Sequence, residues 1–334
     1  MEAYKNYYSP AGKILWDSWF IKQGDTYHLF HLQADLKIDP KNRDNANVSI
    51  GHATSRDLVT WKELPCALKP SNRDDWDNKD LWSGSVAEKE GKYYLYYTGK
   101  NNQPGQKNIQ KICLATSPDL HHWTRYTANP ILEADTRYYY MDNSLSPAGS
   151  IGAWRDPFVF RDPHSDKRFM SISAKTTFGK EVGYNACVAL AESDDMINWK
   201  ILPPIFAPGI YDEIEATRVV FHKGYYYLFF TTHDYDYKPE FAKKFGAHDG
   251  LHCYYSDSLY GGYKPVNGNG VVFDKGHNIY DVRVLNTQDD DFIGIGWLNL
   301  DPGGNFIGRI SHPMNVRIEK DKITLINSTN QIVS

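Results

Sequence analysis

The sequence Trp16-Asp17-Ser18-Trp19, followed after a tight turn by the strand-like run Tyr27-His28-Leu29-Phe30-His31-Leu32, decides the fold. Aromatic and β-branched residues favour strands, so the stretch is typical of two adjacent strands with an acidic residue in the first. A comparable motif precedes a strand-like run at four further places: Trp82-Ser83-Gly84-Ser85, Trp154-Arg155-Asp156-Pro157, Glu213-Ile214-Glu215 and Tyr280-Asp281-Val282-Arg283. Recurrence at intervals of roughly 60 to 75 residues indicates a repeat architecture.

A second repeat lies between the copies of the first. Residues 52–61, 114–123 and 190–199 each combine a short strand-like run, a polar turn and a tryptophan that can pack back on the strand, and residues 254–259 form a weaker copy. Two half-units of about two strands each make one four-stranded sheet, and five such sheets are the blades of a β-propeller. We therefore predict an all-β fold, a single five-bladed β-propeller over residues 1–334 with a central active-site funnel. The expected units are 14–66, 80–128, 150–203, 210–266 and 271–327, and a strand from residues 1–13 or 322–326 is expected to close the ring.

Composition and charge narrow the range of partners. Of the 334 residues, 41% are hydrophobic and 14% aromatic, and the formal net charge is −4. Nucleic-acid binders usually present a basic face, so we expect no nucleic-acid partner. The chain lacks both an apolar run long enough to span a membrane and a signal-peptide pattern at its start, so we expect no membrane partner. A cytoplasmic location is expected, or secretion if a leader has been removed. The four cysteines have no metal-ligand spacing and are predicted to be free thiols, mostly buried.

Three carboxylates carry the chemistry that the repeat suggests. In a propeller the innermost strands line the central funnel, so Asp17, Asp156 and Glu215 are expected to converge there from equivalent positions. Cleavage of a glycosidic bond needs one carboxylic acid to protonate the leaving oxygen and one carboxylate to attack the anomeric carbon or to activate water. A third carboxylate can hold sugar hydroxyls and stabilise the developing positive charge. The pattern therefore predicts a glycoside-cleaving site.

These motifs resemble those of a known group of enzymes. Trp16-Asp17-Ser18-Trp19, Trp82-Ser83-Gly84-Ser85, Arg155-Asp156-Pro157 and Asp212-Glu213-Ile214-Glu215 stand in the order and at about the spacing of the levansucrase and inulosucrase family. Residues 52–58, Trp61 and Leu64-Pro65 are similar to the related invertase and fructan hydrolase family. The resemblance implies a five-bladed propeller and retaining transfer of a β-fructofuranosyl group. The partner would then be a small sugar or oligosaccharide, namely sucrose, a fructooligosaccharide or a fructan.

The resemblance also implies roles for individual residues. Asp17 matches the nucleophile, Asp156 the transition-state stabiliser and Glu215 the general acid/base, and the fructosyl pocket would be shaped by Trp16, Trp82, Ser83, Arg155 and Glu213. We add His233 and Tyr280 as candidate substrate contacts, because they lie near strand ends at the expected mouth. Glu215 must be protonated near neutral pH to act as an acid, and carboxylates such as Glu213 are expected to raise its pKa.

The sequence departs from the two families in two ways. Ala216 follows Glu215, where the levansucrase pattern has Arg and the invertase pattern has Cys, so the resemblance leaves the leaving-group subsite unassigned. The second departure is an expected one: we predict a single propeller without the C-terminal β-sandwich of the invertase family. Hydrolysis and transfer share every step up to the fructosyl-enzyme and differ only in the acceptor, so both stay open.

Two other functions fit the same repeat. One is an inverting propeller glycosidase of the arabinanase and xylosidase type, in which the carboxyl groups lie farther apart to admit a water molecule. The other is a propeller that binds carbohydrate without cleaving it, although all three acids are present. We expect no metal and no organic cofactor, because the chemistry needs neither and the histidines lack ligand spacing.

Overall fold

Five antiparallel sheets, each built from consecutive strands, make up most of the chain. The computed structural model describes residues 4, 6–103, 109–141, 153–178, 183–274, 278–288 and 291–327. The first three sheets comprise β1 (Lys13–Gln23), β2 (Thr26–Asp35), β3 (Ser49–Ser55) and β4 (Lys62–Leu68); β5 (Asp80–Lys89), β6 (Lys92–Lys100), β7 (Gln110–Ser117) and β8 (Thr124–Arg125); and β9 (Trp154–Arg161), β10 (Arg168–Lys175), β11 (Ala186–Ser193) and β12 (Lys200–Phe206).

The fourth and fifth sheets have five strands each. They comprise β13 (Glu215–His222), β14 (Tyr225–Thr232), β15 (Gly250–Ser256), β16 (Lys264–Pro265) and β17 (Val271–Asp274); and β18 (Ile279–Gln288), β19 (Asp291–Leu300), β20 (Phe306–Ile310), β21 (Met314–Glu319) and β22 (Lys322–Ile326). A short helix, α1 (Pro239–Phe245), connects β14 to β15. The helices of the described ranges are all too short or too polar to cross a membrane.

The arrangement is the predicted five-bladed β-propeller. The first strand of each sheet lies innermost, and β1 packs on β5, β5 on β9 and β9 on β13 around the axis. One boundary was wrong: β17, expected to open the fifth unit, pairs with β15 and belongs to the fourth sheet. Its side chains Val272 and Phe273 are buried in the core that joins the fourth and fifth sheets, which is why the apolar run resembled the start of a new unit.

Closure of the ring involves one of the two segments expected for it. Residues 322–326 form β22, which pairs with β21 in the last sheet as predicted, whereas residues 6–12 form no strand. The N-terminal segment instead bonds to β20: the Ile310 amide donates to the Tyr8 carbonyl at 3.0 Å, and Arg309 Nη1 donates to the carbonyls of Tyr4 and Tyr7 at 3.1 and 2.9 Å. A side chain therefore links the start of the chain to the last blade.

The second repeat corresponds to a turn that follows the third strand of the first three sheets. In the first copy, Asp57 Oδ1 accepts hydrogen bonds from the amides of Val59 and Thr60 at 2.9 and 2.7 Å, and Leu58 adopts a positive φ of 62°. The equivalent bonds form around Asp119 and Asp195. The conserved spacing in the repeat thus reflects an aspartate that fixes a tight turn.

The core lies between neighbouring sheets. The tryptophans of the second repeat, Trp61, Trp123 and Trp199, pack against it as predicted. Cys113, Cys187 and Cys253 are buried free thiols, and Cys66 is a partly buried one.

Candidate active site

Every innermost strand carries one extra residue at the same level of the funnel. The register shifts between Trp16 and Ser18 in β1, between Trp82 and Gly84 in β5, and at the corresponding points of β9, β13 and β18. Such β-bulges bend a strand and redirect side chains. Three residues at the bulges, Asp156, Ala216 and Asp281, have positive φ angles of 59°, 54° and 46°.

The bulges turn two successive side chains of each strand toward one cavity of about 310 Å³. The residues immediately before the bulges are Trp16, Trp82, Arg155, Glu215 and Tyr280, and those at the bulges are Asp17, Ser83, Asp156, Ala216 and Asp281; all ten line the cavity. Asp17 and Asp156 therefore occupy equivalent positions, as predicted. The predicted equivalence of Glu215 was wrong, because it lies one position earlier and Ala216 occupies the equivalent site.

All ten site residues predicted from the sequence line this cavity, since Glu213 and His233 also contribute to its wall. The structure adds residues that the sequence did not single out: Arg43, Asp44, Tyr235, Asp236, Trp297 and Asn299. Asp281, from the fifth copy of the repeat, also lines the cavity and occupies the position equivalent to Asp17. Arg43 and Asp44 come from the connection between β2 and β3, which carries no repeat signal.

Asp17 is held by a short hydrogen bond. The Ser83 hydroxyl donates to Asp17 Oδ2. Burial raises the pKa of Asp17 above its usual value, although the bond from Ser83 and the positive charge of Arg283 act in the opposite direction. The carboxylate is thus desolvated, which strengthens its interactions with a positive centre in the cavity.

Asp156 is fixed by three elements. Its amide donates to Thr98 Oγ1 at 3.0 Å, and its Oδ2 accepts from the Ala216 amide at 2.8 Å and from Ser173 Oγ at 3.2 Å. Burial raises the pKa of Asp156 to about 6, despite the opposing charge of the adjacent Arg155. The positive φ at Ala216 turns its amide toward this carboxylate, which gives the residue after Glu215 a structural role.

Glu215 lies among positive charges. Its Oε1 is 3.2 Å from Arg155 Nη2, its Oε2 accepts from the Tyr280 hydroxyl at 2.8 Å, and its side chain is 33% exposed. Burial raises the pKa of Glu215, but the charges of Arg155 and His233 and the hydrogen bond from Tyr280 outweigh it, so the pKa lies below its usual value.

The prediction of a raised pKa for Glu215 was therefore wrong. The neighbour expected to raise it, Glu213, is itself neutralised: its Oε2 lies 2.7 Å from Arg155 Nη2, and its Oε1 lies 3.0 Å from Lys175 Nζ.

A chain of hydrogen bonds runs outward from Glu215. The Tyr280 hydroxyl lies 2.9 Å from His233 Nε2, and His233 Nδ1 lies 3.2 Å from Asp249 Oδ2. Because Tyr280 donates to Glu215, all of these bonds form together only when both ring nitrogens of His233 donate, as in the imidazolium. Burial lowers the pKa of His233, but its hydrogen bond to Asp249 and the charge of Glu215 outweigh this and raise it.

The walls of the cavity are aromatic. Trp82 Nε1 donates to the Asp44 carbonyl at 3.0 Å, and the Arg43 guanidinium lies 5.9 Å from the Trp16 ring centroid and 5.7 Å from that of Trp297. Another carboxyl group, that of Asp236, has its pKa raised to about 7 by burial and by the charge of Glu215. Within the described ranges, no three His, Cys, Asp or Glu residues are grouped so that they could hold a metal ion.

The axial cavity of this propeller combines clustered carboxyl groups, a buried arginine and tryptophan walls. These features are characteristic of a class of carbohydrate-cleaving enzymes, the propeller glycoside hydrolases. Comparison with known families agrees: the family described as "Glycosyl hydrolases family 32 N-terminal domain" matches residues 18–325. The chain belongs to this family.

Individual relatives are similar over parts of their length. A sucrose:sucrose 1-fructosyltransferase of Festuca arundinacea is 28% identical over 203 residues, which are 58% of this chain and 26% of that protein. A levansucrase of Rahnella aquatilis is 33% identical over 269 residues, which are 71% of this chain and 61% of that protein. The chain thus spans less than two thirds of these relatives.

The fold has close counterparts among solved structures. The inulosucrase from Halalkalicoccus jeotgali bound to kestose superposes with a TM-score of 0.80 over 98% of this chain and 91% of that chain, at 23% identity. At this identity the likeness supports the propeller fold.

Proposed function

We propose that this protein transfers a β-fructofuranosyl group from sucrose, a fructooligosaccharide or a fructan to water or to another sugar, with retention of configuration. The observation that carries the proposal is the convergence of Asp17, Asp156 and Glu215 on one cavity of about 310 Å³. This volume suits a small ligand or the terminal unit of a longer one. Family membership and the names of the relatives favour this chemistry over inverting arabinoside cleavage and over binding without catalysis.

In the proposed first step, Asp17 attacks the anomeric carbon of the fructosyl unit. The bond from that carbon to the leaving sugar breaks, and the leaving oxygen takes a proton from Glu215, which leaves a fructosyl-enzyme ester. In the second step, Glu215 takes a proton from water or from an acceptor hydroxyl, which attacks the same carbon and releases Asp17. Two successive displacements at one carbon give overall retention.

Substrate binding would favour the protonated form of Glu215. The side chain of Glu215 is one third exposed to solvent, and a bound sugar would exclude water from it. Loss of water disfavours the charged form of a carboxylate and so raises its pKa. Glu215 would thus become an effective acid only when the leaving oxygen lies beside it.

Asp156, Arg155 and Glu213 would bind the fructosyl hydroxyls. Asp156 and Glu213 are buried acceptors, and Arg155 holds Asp156, Glu213 and Glu215 in a fixed relation, at 3.8, 2.7 and 3.2 Å. Because these charged groups are already held in place, little reorganisation energy is needed when the transition state forms. The balance between hydrolysis and transfer would then depend on whether water or a sugar hydroxyl reaches the fructosyl-enzyme ester.

A substrate screen tests the proposal. The protein is incubated with sucrose, kestose, inulin, levan and, as controls, arabinosides, while glucose, fructose and oligomers are measured separately and the first anomer released is identified by NMR. We expect fructose release with retention, and a loss of at least about a thousandfold in kcat for Asp17→Ala. Asp166→Ala, at an exposed acid in a turn of the third sheet, is the matched control and should be unchanged.

Three outcomes would contradict the proposal. They are an inverted product, equal rates for the wild type and Asp17→Ala, and cleavage of arabinosides without cleavage of any fructoside.

A further inference from the structure

A groove of about 1210 Å³ runs beside the catalytic cavity, along the junction of the first and fifth sheets. Its walls come from the N-terminal segment and the start of β1, the connection after β2, the turn between β3 and β4, and the region from the end of β19 into β20. Most of these segments lie at the mouth end of their strands, whereas the β3–β4 turn lies at the other end. The groove therefore extends from the mouth of the funnel down the flank of the propeller.

The groove and the catalytic cavity share part of their walls. Arg43 and Asn299 line both. Ordinary small-molecule sites enclose about 300 to 1,000 Å³, so the cavity of about 310 Å³ is at the lower limit and the groove of about 1210 Å³ exceeds the upper one. An occupant that continues from one to the other would be an extended molecule with a small reacting end.

The groove concentrates exposed apolar surface. Leu36, Val59 and Leu300 are 61%, 41% and 39% exposed, and all three line it. They are three of the eight large hydrophobic side chains exposed in the described part of the chain. Leu36 and Leu300 stand near the mouth and Val59 at the far end, so apolar surface is exposed at both ends of the groove, as is common in binding sites.

The polar groups of the groove suit a neutral ligand rich in hydroxyl groups. Asn299 and Asn305 offer amides, and the Trp61 and Phe306 rings offer flat apolar faces. Charged side chains of both signs also stand in the walls, among them Lys41 and Asp301. Two of the charged groups are held locally, since Lys13 Nζ lies 3.8 Å from Asp35 and Asp301 accepts from Asn305. The flat rings and the continuity of the groove with the catalytic cavity favour a sugar chain as the occupant.

Arg43 stands at the junction of the two spaces. Its guanidinium lies 5.2 Å from the Phe306 ring centroid in the groove and 5.9 Å from that of Trp16 in the cavity. Its Nη1 donates to the Pro40 carbonyl at 3.0 Å, while its buried Nε has no hydrogen-bond partner among the described residues. A buried donor without a partner is rare in folded proteins.

We propose that this groove binds the sugar units of an oligosaccharide that extend beyond the catalytic cavity, with Arg43 donating a hydrogen bond to the unit at the junction. The inference rests on the proposed function, because it assigns the remainder of the same substrate or acceptor to the groove. The occupant is a linear, uncharged oligosaccharide of fructosyl units.

Steady-state kinetics with a short and a long substrate test the groove. Leu36→Asp and Leu300→Asp place a charge on its apolar rim, at side chains exposed enough for the fold to tolerate the change. We expect KM for a fructan of ten or more units to rise about fivefold or more, since apolar contact is lost, while kcat/KM for sucrose changes less than about twofold. Ile109→Asp, at a side chain that is 38% exposed and outside the groove, is the control for Leu300→Asp.

The outcomes separate this inference from the proposed function. A selective loss with the long substrate in both groove variants, but not in Ile109→Asp, supports the groove. Equal effects on both substrates, or none, overturn it and leave the proposed function intact, provided that the wild type cleaves sucrose. Failure of the wild type to act on any fructoside overturns both. Thermal unfolding of each variant identifies a loss that comes from misfolding, which would affect sucrose and fructan alike.

Discussion

Arg155 holds the charge balance of the cavity. It is 5% exposed and lies within 4 Å of three carboxyl groups, those of Asp156, Glu213 and Glu215. Burial disfavours the charge of Arg155, but the three acids outweigh it and raise its pKa. The guanidinium therefore stays charged over the whole working pH range and balances the negative charge of the carboxyl groups around it.

Replacing Arg155 should therefore damage both stability and activity. We expect Arg155→Met to lower the free energy of unfolding by about 3–5 kcal/mol, because it leaves buried carboxylates without a partner. Arg155→Lys keeps the charge but loses the planar fork, so its loss should be smaller. Denaturant unfolding measures both. Arg161→Met, at the exposed outer end of the same strand, should stay within about 0.5 kcal/mol of the wild type; a similar loss in this control would contradict the assignment.

His233 should set the alkaline limit of activity. Its positive charge, 4.0 Å from Glu215, helps to hold the pKa of that carboxyl group below its usual value. If Glu215 is the general acid, as we propose, only its protonated form is active and kcat/KM falls as the pH rises through this pKa. His233→Gln removes the charge and retains hydrogen-bonding capacity. Its pH–rate profile should keep its acid limb, while the alkaline limb moves to higher pH.

A matched variant separates charge from packing at this position. Tyr235 stacks on His233 with a centroid distance of 4.7 Å but is 66% exposed, so Tyr235→Leu alters the packing and leaves the imidazolium in place. Its alkaline limb should not move. If His233→Gln moves the limb to lower pH or leaves it unchanged, His233 does not act on Glu215 through its charge.

At the scale of single strands, the β-bulge is the device that builds the site. A regular strand presents every second residue to the funnel, whereas each bulged strand presents two successive residues, as Asp17 and Trp16 illustrate. At Ala216 the bulge also aims an amide at Asp156, at 2.8 Å. The bulge thus both places side chains in the cavity and supplies a hydrogen bond that fixes the Asp156 carboxylate.

Substitutions at Ala216 test the bulge. Proline cannot adopt a φ of +54° and has no amide to donate, so Ala216→Pro should lower the free energy of unfolding by about 3 kcal/mol or more and abolish activity. Ala216→Gly keeps the amide and accepts the angle, so it should remain within about 1 kcal/mol of the wild type. Calorimetry and sucrose cleavage measure the two effects. Equal stability of the two variants would contradict the described backbone.

The bulges also mark where sequence reasoning stopped. The repeat revealed the number of sheets, the innermost strands and the converging carboxylates, because patterns of aromatic and acidic residues survive in the sequence. The resemblance to the levansucrase and inulosucrase family implied the five further pocket residues, and position at strand ends suggested His233 and Tyr280. The position of Glu215, one residue before the bulge, was missed because an extra residue in a strand has no signature in residue type. The lowered pKa of Glu215 was missed because its causes, the charges of Arg155 and His233 and the hydrogen bond from Tyr280, come from other parts of the sequence and meet Glu215 only in the folded chain.

At the scale of the whole molecule, the ring is closed by packing between the first and fifth sheets and by a link to the N-terminal segment. Buried side chains of both sheets, among them Trp19 and Trp297, belong to one core. Arg309 on β20 gathers the carbonyls of Tyr4 and Tyr7, and Tyr7 stacks on His312 with a centroid distance of 4.2 Å. The sequence predicted that a terminal strand pairs in the last blade, as β22 does, but it gave no sign of the arginine link. The linked N-terminal segment also forms a wall of the groove.

Arg309→Met should release the N-terminal segment from β20. A hydrogen bond from a charged donor contributes about 1.5–3 kcal/mol to stability. We therefore expect the free energy of unfolding to fall by about 1.5–3 kcal/mol. Arg317→Met, at an exposed site on the neighbouring β21, is the control and should be neutral.

Hydrogen exchange locates the effect of Arg309→Met. The amide of Ile310, which donates to Tyr8, should exchange faster in this variant, while that of Leu95 in the buried centre of the second sheet should not. Because the released segment no longer walls the groove, KM for a long fructan should rise together with the exchange rate at Ile310, with sucrose little affected. Faster exchange without that change in KM would mean that the N-terminal segment closes the ring but takes no part in holding the substrate.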